Sequence, residues 1–168
     1  MNRSFSFPNP VNEIAARVVA TLVVLTAVIA IVAQQRWLAV FLAGGFALRV
    51  GWGPRFDPFG QLATRVIAPR LAEPKLVPGP PKRFAQAIGL AFTVVASLLF
   101  YVAGADAAAY VVLGILAVAA GLEAFAGFCL GCRIFALLMR AGLVPNDVCE
   151  ACNDIWAGRP RRTPPTSA

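Results

Sequence analysis

Four cysteines fall in the last quarter of the chain, as Cys129-Leu-Gly-Cys132 and Cys149-Glu-Ala-Cys152, giving the pattern C-x2-C-x16-C-x2-C. Thiolates at this spacing suit a four-sulfur zinc site, where two close pairs are brought together by the intervening chain. The same residues suit reversible chemistry, each pair closing a disulfide and exchanging electrons or a persulfide with the other. A third reading is passive burial. Cys129, Cys132, Cys149 and Cys152 are thus candidate redox or sulfur-carrying residues and, alternatively, metal ligands for Zn. Neither pair has the Trp-Cys-Gly-Pro-Cys setting of a thioredoxin active site, and the first lacks the polar knuckle turn of zinc ribbons. The chain has no histidine, which removes histidine acid/base chemistry, histidine metal ligands and histidine-ligated haem.

The elements that must position these cysteines are apolar. Of 168 residues, 59% are hydrophobic and 14% charged, with a mean hydropathy of +0.73. Soluble domains run at about 45–50% apolar and about 25% charged, so this chain lacks the polar surface to cover itself in water. The solvent it fits is a bilayer. Four spans are expected, at about 17–35, 37–53, 84–105 and 107–130. Trp37 and Trp52, 15 residues and about 22 Å apart on a helix, mark the two interfaces of the second span. Arg49 is expected to snorkel there, and Gly44 and Gly45 to permit close helix contact. The first span reads poorly as a cleaved signal peptide: the segment before it is long, carries Pro8, Pro10 and Glu13, and precedes three further apolar stretches.

The positive charges orient the spans. With the N-terminus inside, 14 of the 15 Lys and Arg residues fall on the inner side, and Arg36 alone lies outside. The positive-inside rule then predicts an inner-membrane protein with both termini cytoplasmic. The net charge of +7 reads as topology and attraction to anionic lipid, with no nucleic-acid partner. In the inner loop, Asp57-Pro58 is a helix-start signature, and Phe59, Leu62 and Val66 recur at helical spacing. A short interfacial helix over 58–68 is expected, ended by Pro69 and followed by a proline-rich extended linker.

Cys129 and Cys132 come at the inner end of the fourth span, on neighbouring faces of one helix. Two further helical turns to Arg140 and a Gly142 cap follow. Asn146 is a good N-cap for a last helix starting at Asp147, so a cytoplasmic helical hairpin would carry both pairs. Arg133 stands beside Cys132, where it would favour the thiolate. Glu123 is the only carboxylate deep in a span. Such a group is a functional candidate by default, but a structural ion pair with Arg17 or Arg49, which end at the same depth, is the simpler expectation. Counted along a continuous helix, Glu123 turns about 240° and 180° away from the two cysteines and stands outside their site. The expected fold is all-α: a single membrane domain over 1–156, built as a four-helix bundle, then a disordered tail over 157–168. A small transporter is a weaker reading, because the sequence shows no inverted repeat.

The segments FPNPVNE, GPRFDPFGQLATRVIAPRL, VPGPPKRFAQAIG and GLEAFAGFCLGCRIFALLMRAGLVPNDVCEACNDI resemble the bacterial family DUF4395 over about residues 7–155. The resemblance implies a small multi-span membrane protein without an established activity. It also implies genes neighbouring thioredoxin-like proteins and sulfurtransferases, and hence partners of those kinds. The motif positions it covers include all four cysteines, with Glu123 and Arg133 beside them. Two functions from different classes follow: thiol redox or sulfur transfer at a cytoplasmic-face cysteine site, or a non-catalytic scaffold around a structural zinc held by the four cysteines. Labelling of intact cells with an impermeant maleimide tests the topology. Arg36→Cys and Asp106→Cys should react from outside and Lys75→Cys should not; the reverse pattern would invert the protein.

Overall fold

Residues 10–71 and 73–143 are described by a computed structural model, and they are mostly helical. Cys149, Cys152, the helix expected from Asp147 and the tail over 157–168 lie outside the described residues. A two-residue strand β1 (Val11–Asn12) leads into α1 (Glu13–Val32). The helix starts four residues before the expected 17 because the Asn12 side chain accepts from the Ile14 N–H at 3.0 Å and Glu13 occupies the first turn. A short turn carries the chain into α2 (Trp37–Trp52), which at 16 residues is shorter than its neighbours.

After a 3-10 turn at Gly53–Arg55 comes α3 (Pro58–Leu62), with Pro58 in its first turn and the Asp57 carboxylate accepting from Gly60 N–H at 2.6 Å. The expected cap is therefore present. Pro69 does not end the segment. The helix widens into a π turn at Ala63–Ile67 and continues as α4 (Ala68–Leu71). Proline has no N–H for an i−4 carbonyl and clashes with it, and a wider turn relieves both. Gly60, Ala63 and Ala68 are buried, Phe59 is half-buried, and Leu62 and Val66 are exposed. Small residues therefore make the inward face, and α1 packs on this segment.

The strand β2 (Leu76–Val77) pairs antiparallel with β1, Val11 opposite Val77, and Glu13 N–H donates to the Lys75 carbonyl at 2.8 Å. Helix α5 (Gly79–Tyr101) starts within the proline-rich stretch expected to be extended. Pro80 and Pro81 sit in its first turn, where their missing N–H groups would have no helical partner anyway. Helix α6 (Asp106–Ala126) returns, and α7 (Leu130–Arg140) follows a break. Helices α1, α5 and α6 are long and apolar enough to cross a membrane. Helix α1 packs on α6 and α2, and α5 on α2 and α6. The core between them is lined by Val23, Ala27, Leu42, Ala96 and Leu113, while Val32, Val102, Val111 and Val118 point outward. Apolar surface on the outside is what lipid, rather than water, requires.

At one end of the helices Arg36 pairs with Asp106; every other described Lys and Arg belongs to the opposite end or the loops there. Arg49 does not snorkel. It is 3% exposed, and its Nη1 donates to Asp57 Oδ2 at 2.7 Å and its Nε to Gln86 Oε1 at 2.9 Å, with the guanidinium 4.4 Å above the Phe46 ring. Gly45 admits this pair, because a Cβ there would come 2.8 Å from Asp57 Oδ1; Gly44 has open space instead. Removing one partner of a buried pair leaves the other charge uncompensated, at a cost of about 3–5 kcal/mol. Asp57→Ala should therefore lower stability far more than Asp106→Ala, whose exposed pair contributes about 0–1 kcal/mol. Thermal unfolding in detergent measures both, and equal losses would contradict the assignment.

Candidate functional site

The first cysteine pair is set by a break in the chain. Helix α6 ends at Ala126, and Gly127 takes φ +65°, a left-handed conformation favoured by glycine. Its N–H donates to the Glu123 carbonyl at 3.1 Å, and the Phe128 N–H to that of Leu122 at 3.0 Å, which caps the helix. Arg17 completes the cap, its Nε donating to the Ala124 carbonyl and its Nη2 to that of Phe125, each at 3.0 Å. The fourth apolar helix thus stops short of residue 130. Cys129 lies outside helix altogether, as the extended N-cap of α7.

That capping position changes its chemistry. Cys129 Sγ accepts from the Cys132 backbone N–H at 3.4 Å, and the Cys132 thiol donates to it at 2.7 Å. Both cysteines are free thiols; Cys129 is buried and Cys132 half-buried. The hydrogen bond from the Cys132 thiol, with help from the nearby Lys82 cation, draws the Cys129 thiol below its ordinary range against burial and the Glu123 charge. Cys132 moves the other way: it holds the shared proton, is partly buried and faces the Cys129 charge, so its ionisation is pushed far up. The pair is one strong and one weak acid. Sharing a tetrahedral zinc at Zn–S of about 2.3 Å would require the two sulfurs to stand about 3.8 Å apart rather than hydrogen-bonded at 2.7 Å.

Gly131 holds this end of α7 against α5. A Cβ there would lie 2.5 Å from Ala85 Cβ, so the helices touch backbone to side chain. Phe135 and Met139 bury on the same face beside Phe84, the Phe84 and Phe135 rings 5.6 Å apart. The further turns to Arg140 and the positive φ of Gly142 follow the sequence expectation.

Glu123 corrects it. Its partner is Lys82 of α5, Nζ to Oε1 at 2.6 Å with both side chains mostly buried, rather than Arg17 or Arg49. The angular count failed because the helix ends between Glu123 and Cys129, so the chain turns and brings the carboxylate back beside the thiols. Glu123 and Lys82 both act on the Cys129 and Cys132 charges. Arg133, expected to favour the thiolate, is on α7 with its guanidinium 5.0 Å from the Phe128 ring. The residue that sequence reasoning missed is Lys82. The signal was there: a lysine two residues from the apolar run of one helix, and a lone carboxylate inside the next.

Among the described residues no group of three or more cysteine or carboxylate side chains is placed to hold a metal. In a Cys149→Ser/Cys152→Ser background, thiolate ultraviolet absorbance against pH should show the first proton of the pair leaving below the ordinary cysteine value of about 8.5. Cys132→Ala, which removes the main cause, should move the Cys129 transition upward. A transition that stays put would refute the coupling.

A family model described as a domain of unknown function, DUF4395, matches residues 11–140, and the chain belongs to that family. No curated protein and no solved structure matches it.

Proposed function

We propose that this DUF4395 protein is a four-helix inner-membrane bundle whose cytoplasmic face carries a working dithiol, Cys129–Cys132, for thiol redox or sulfur transfer with soluble partners. The observation that carries the reading is the 2.7 Å approach of two free thiols at the start of α7, with only one of them poised to ionise. Thiol–disulfide exchange needs that asymmetry, because a thiolate attacks and a protonated neighbour waits. The cationic end of the helices supports the cytoplasmic placement by the positive-inside rule. Thioredoxin-like proteins and sulfurtransferases are the partner classes proposed.

In exchange, the Cys129 thiolate attacks one sulfur of a partner disulfide, and the other partner sulfur leaves as thiolate. Cys132 then gives up its proton and attacks Cys129 Sγ. The mixed disulfide breaks, the partner's first sulfur leaves, and the chain holds a Cys129–Cys132 disulfide. For sulfur transfer, Cys129 would carry a persulfide whose outer sulfur passes to an acceptor thiolate. Cys149 and Cys152 belong to the same proposal as a second dithiol that relays to the first. A structural zinc held by all four cysteines is the rival.

Single Cys→Ser changes separate the two. At each of the four positions the fold should survive, judged by thermal unfolding in detergent, while two-electron oxidation of its pair by oxidised glutathione is lost. Loss of the fold at any one position, with stoichiometric zinc in the purified protein, would establish the scaffold instead.

A further inference from the structure

A dithiol that cycles needs a second reactant, and the helices hold a place for one. A cavity of about 210 Å³ lies between α1, α2, α5, α6 and α7, walled by Val19, Phe46, Phe92, Ile115, Glu123 and Cys129 among others. Its lining is mostly apolar. The polar side chains that reach it are Gln86 and Glu123, on the cysteine side of the helices. Gln86 also accepts from Arg49 Nε through its Oε1, which fixes its side chain at this wall. A cavity of about 150 Å³ already takes a benzene ring, so this one takes a substituted six-membered ring.

Cys129 is one wall of the cavity and is 9% exposed, whereas Cys132 is more open and outside the lining. A reactant that reaches Cys129 through the cavity must be small, apolar and soluble in lipid. A lipid acyl chain meets those terms but accepts no electrons and offers nothing to Gln86 or Glu123. Resting on the dithiol reading, we propose that the cavity binds the ring of a lipid-soluble quinone, which takes two electrons and two protons from the Cys129–Cys132 dithiol.

The step balances. The Cys129 thiolate adds to a ring carbon, forming a C–S bond and placing its electron pair on the ring. Cys132 loses its proton and attacks Cys129 Sγ, which forms the disulfide and breaks the C–S bond. Its electron pair stays with the ring. The two oxygens take the two protons that the thiols released, giving quinol. Lys82 and Glu123, joined at 2.6 Å, place an acid and a base beside the sulfurs for those transfers.

The test uses full-length protein with Cys149→Ser and Cys152→Ser, reduced and reconstituted without oxygen in phosphatidylethanolamine–phosphatidylglycerol vesicles containing decylubiquinone. Loss of quinone absorbance and titration of free thiols should show one quinol formed and two thiols lost per chain. Cys132→Ser should form none. Ala120→Phe, which fills the cavity, should lower the quinone rate relative to the oxidised-glutathione rate by about tenfold, a loss of about 1.4 kcal/mol of transition-state binding. If that variant does not fold, Ala119→Leu is read the same way. Oxidation by glutathione without any reaction with quinone would overturn this proposal and leave the dithiol reading intact; inertness to both would overturn the two together. A covalent quinone adduct without quinol, or a cavity variant with an unchanged rate ratio, would also overturn it.

Discussion

The Lys82–Glu123 ion pair ties the first turn of one apolar helix to the last turn of the next, at the depth where the chain must leave the helical layer. Few groups in a low-dielectric setting can stand alone, because an ion stripped of water costs several kcal/mol. Each therefore fixes its partner's position. With Glu123 held, the end of α6 is held, and the turn at Gly127 delivers Cys129 to the start of α7 at a set distance from both charges. The Arg49–Asp57 pair does the same for the other half, joining α2 to the start of α3 and, through Gln86, to α5.

Packing follows from these anchors and from small residues. Gly89 lies where any Cβ would strike the Phe46 ring, and Gly131 where it would strike Ala85. Helices brought this close cannot slide without losing both contacts and ion pairs. The stretch bearing Cys129 and Cys132 is therefore set by several elements at once. That rigidity is what the proposed dithiol requires, since two sulfurs must meet within a narrow range of geometry to form a bond.

Much of this was legible in the residues. Runs without charge gave the helices, Asp57-Pro58 gave the start of α3, and Gly142 gave the end of α7, because each depends on local chemistry alone. What was not legible depends on contacts between distant segments. A lysine beside one apolar run and a lone carboxylate within the next were a signal of pairing, but only the packing of α5 on α6 makes them partners. In GFCLGC only Gly127 signals that the helix stops, and the signal is masked because Phe128, Cys129 and Leu130 are as apolar as the run before them. Once the break is missed, a rotation counted along an unbroken helix places Glu123 on the wrong side. The same holds for Leu76–Val77, whose strand exists only because Val11–Asn12 lies beside it.

That two-strand clasp also bears on how the protein is made. Its halves flank α1 at one end and α5 at the other, so on the ribosome the first strand emerges long before its mate. During that interval α1 and α2 are already available to the insertion machinery, held at this end by no ladder and no Glu13–Lys75 contact. The clasp closes only when the start of α5 arrives, and in closing it ties the far end of the loop bearing Asp57 to the start of α1. Assembly is then ordered in time: an early pair of apolar helices, a latch supplied by later synthesis, and only afterwards the turn that presents the thiols.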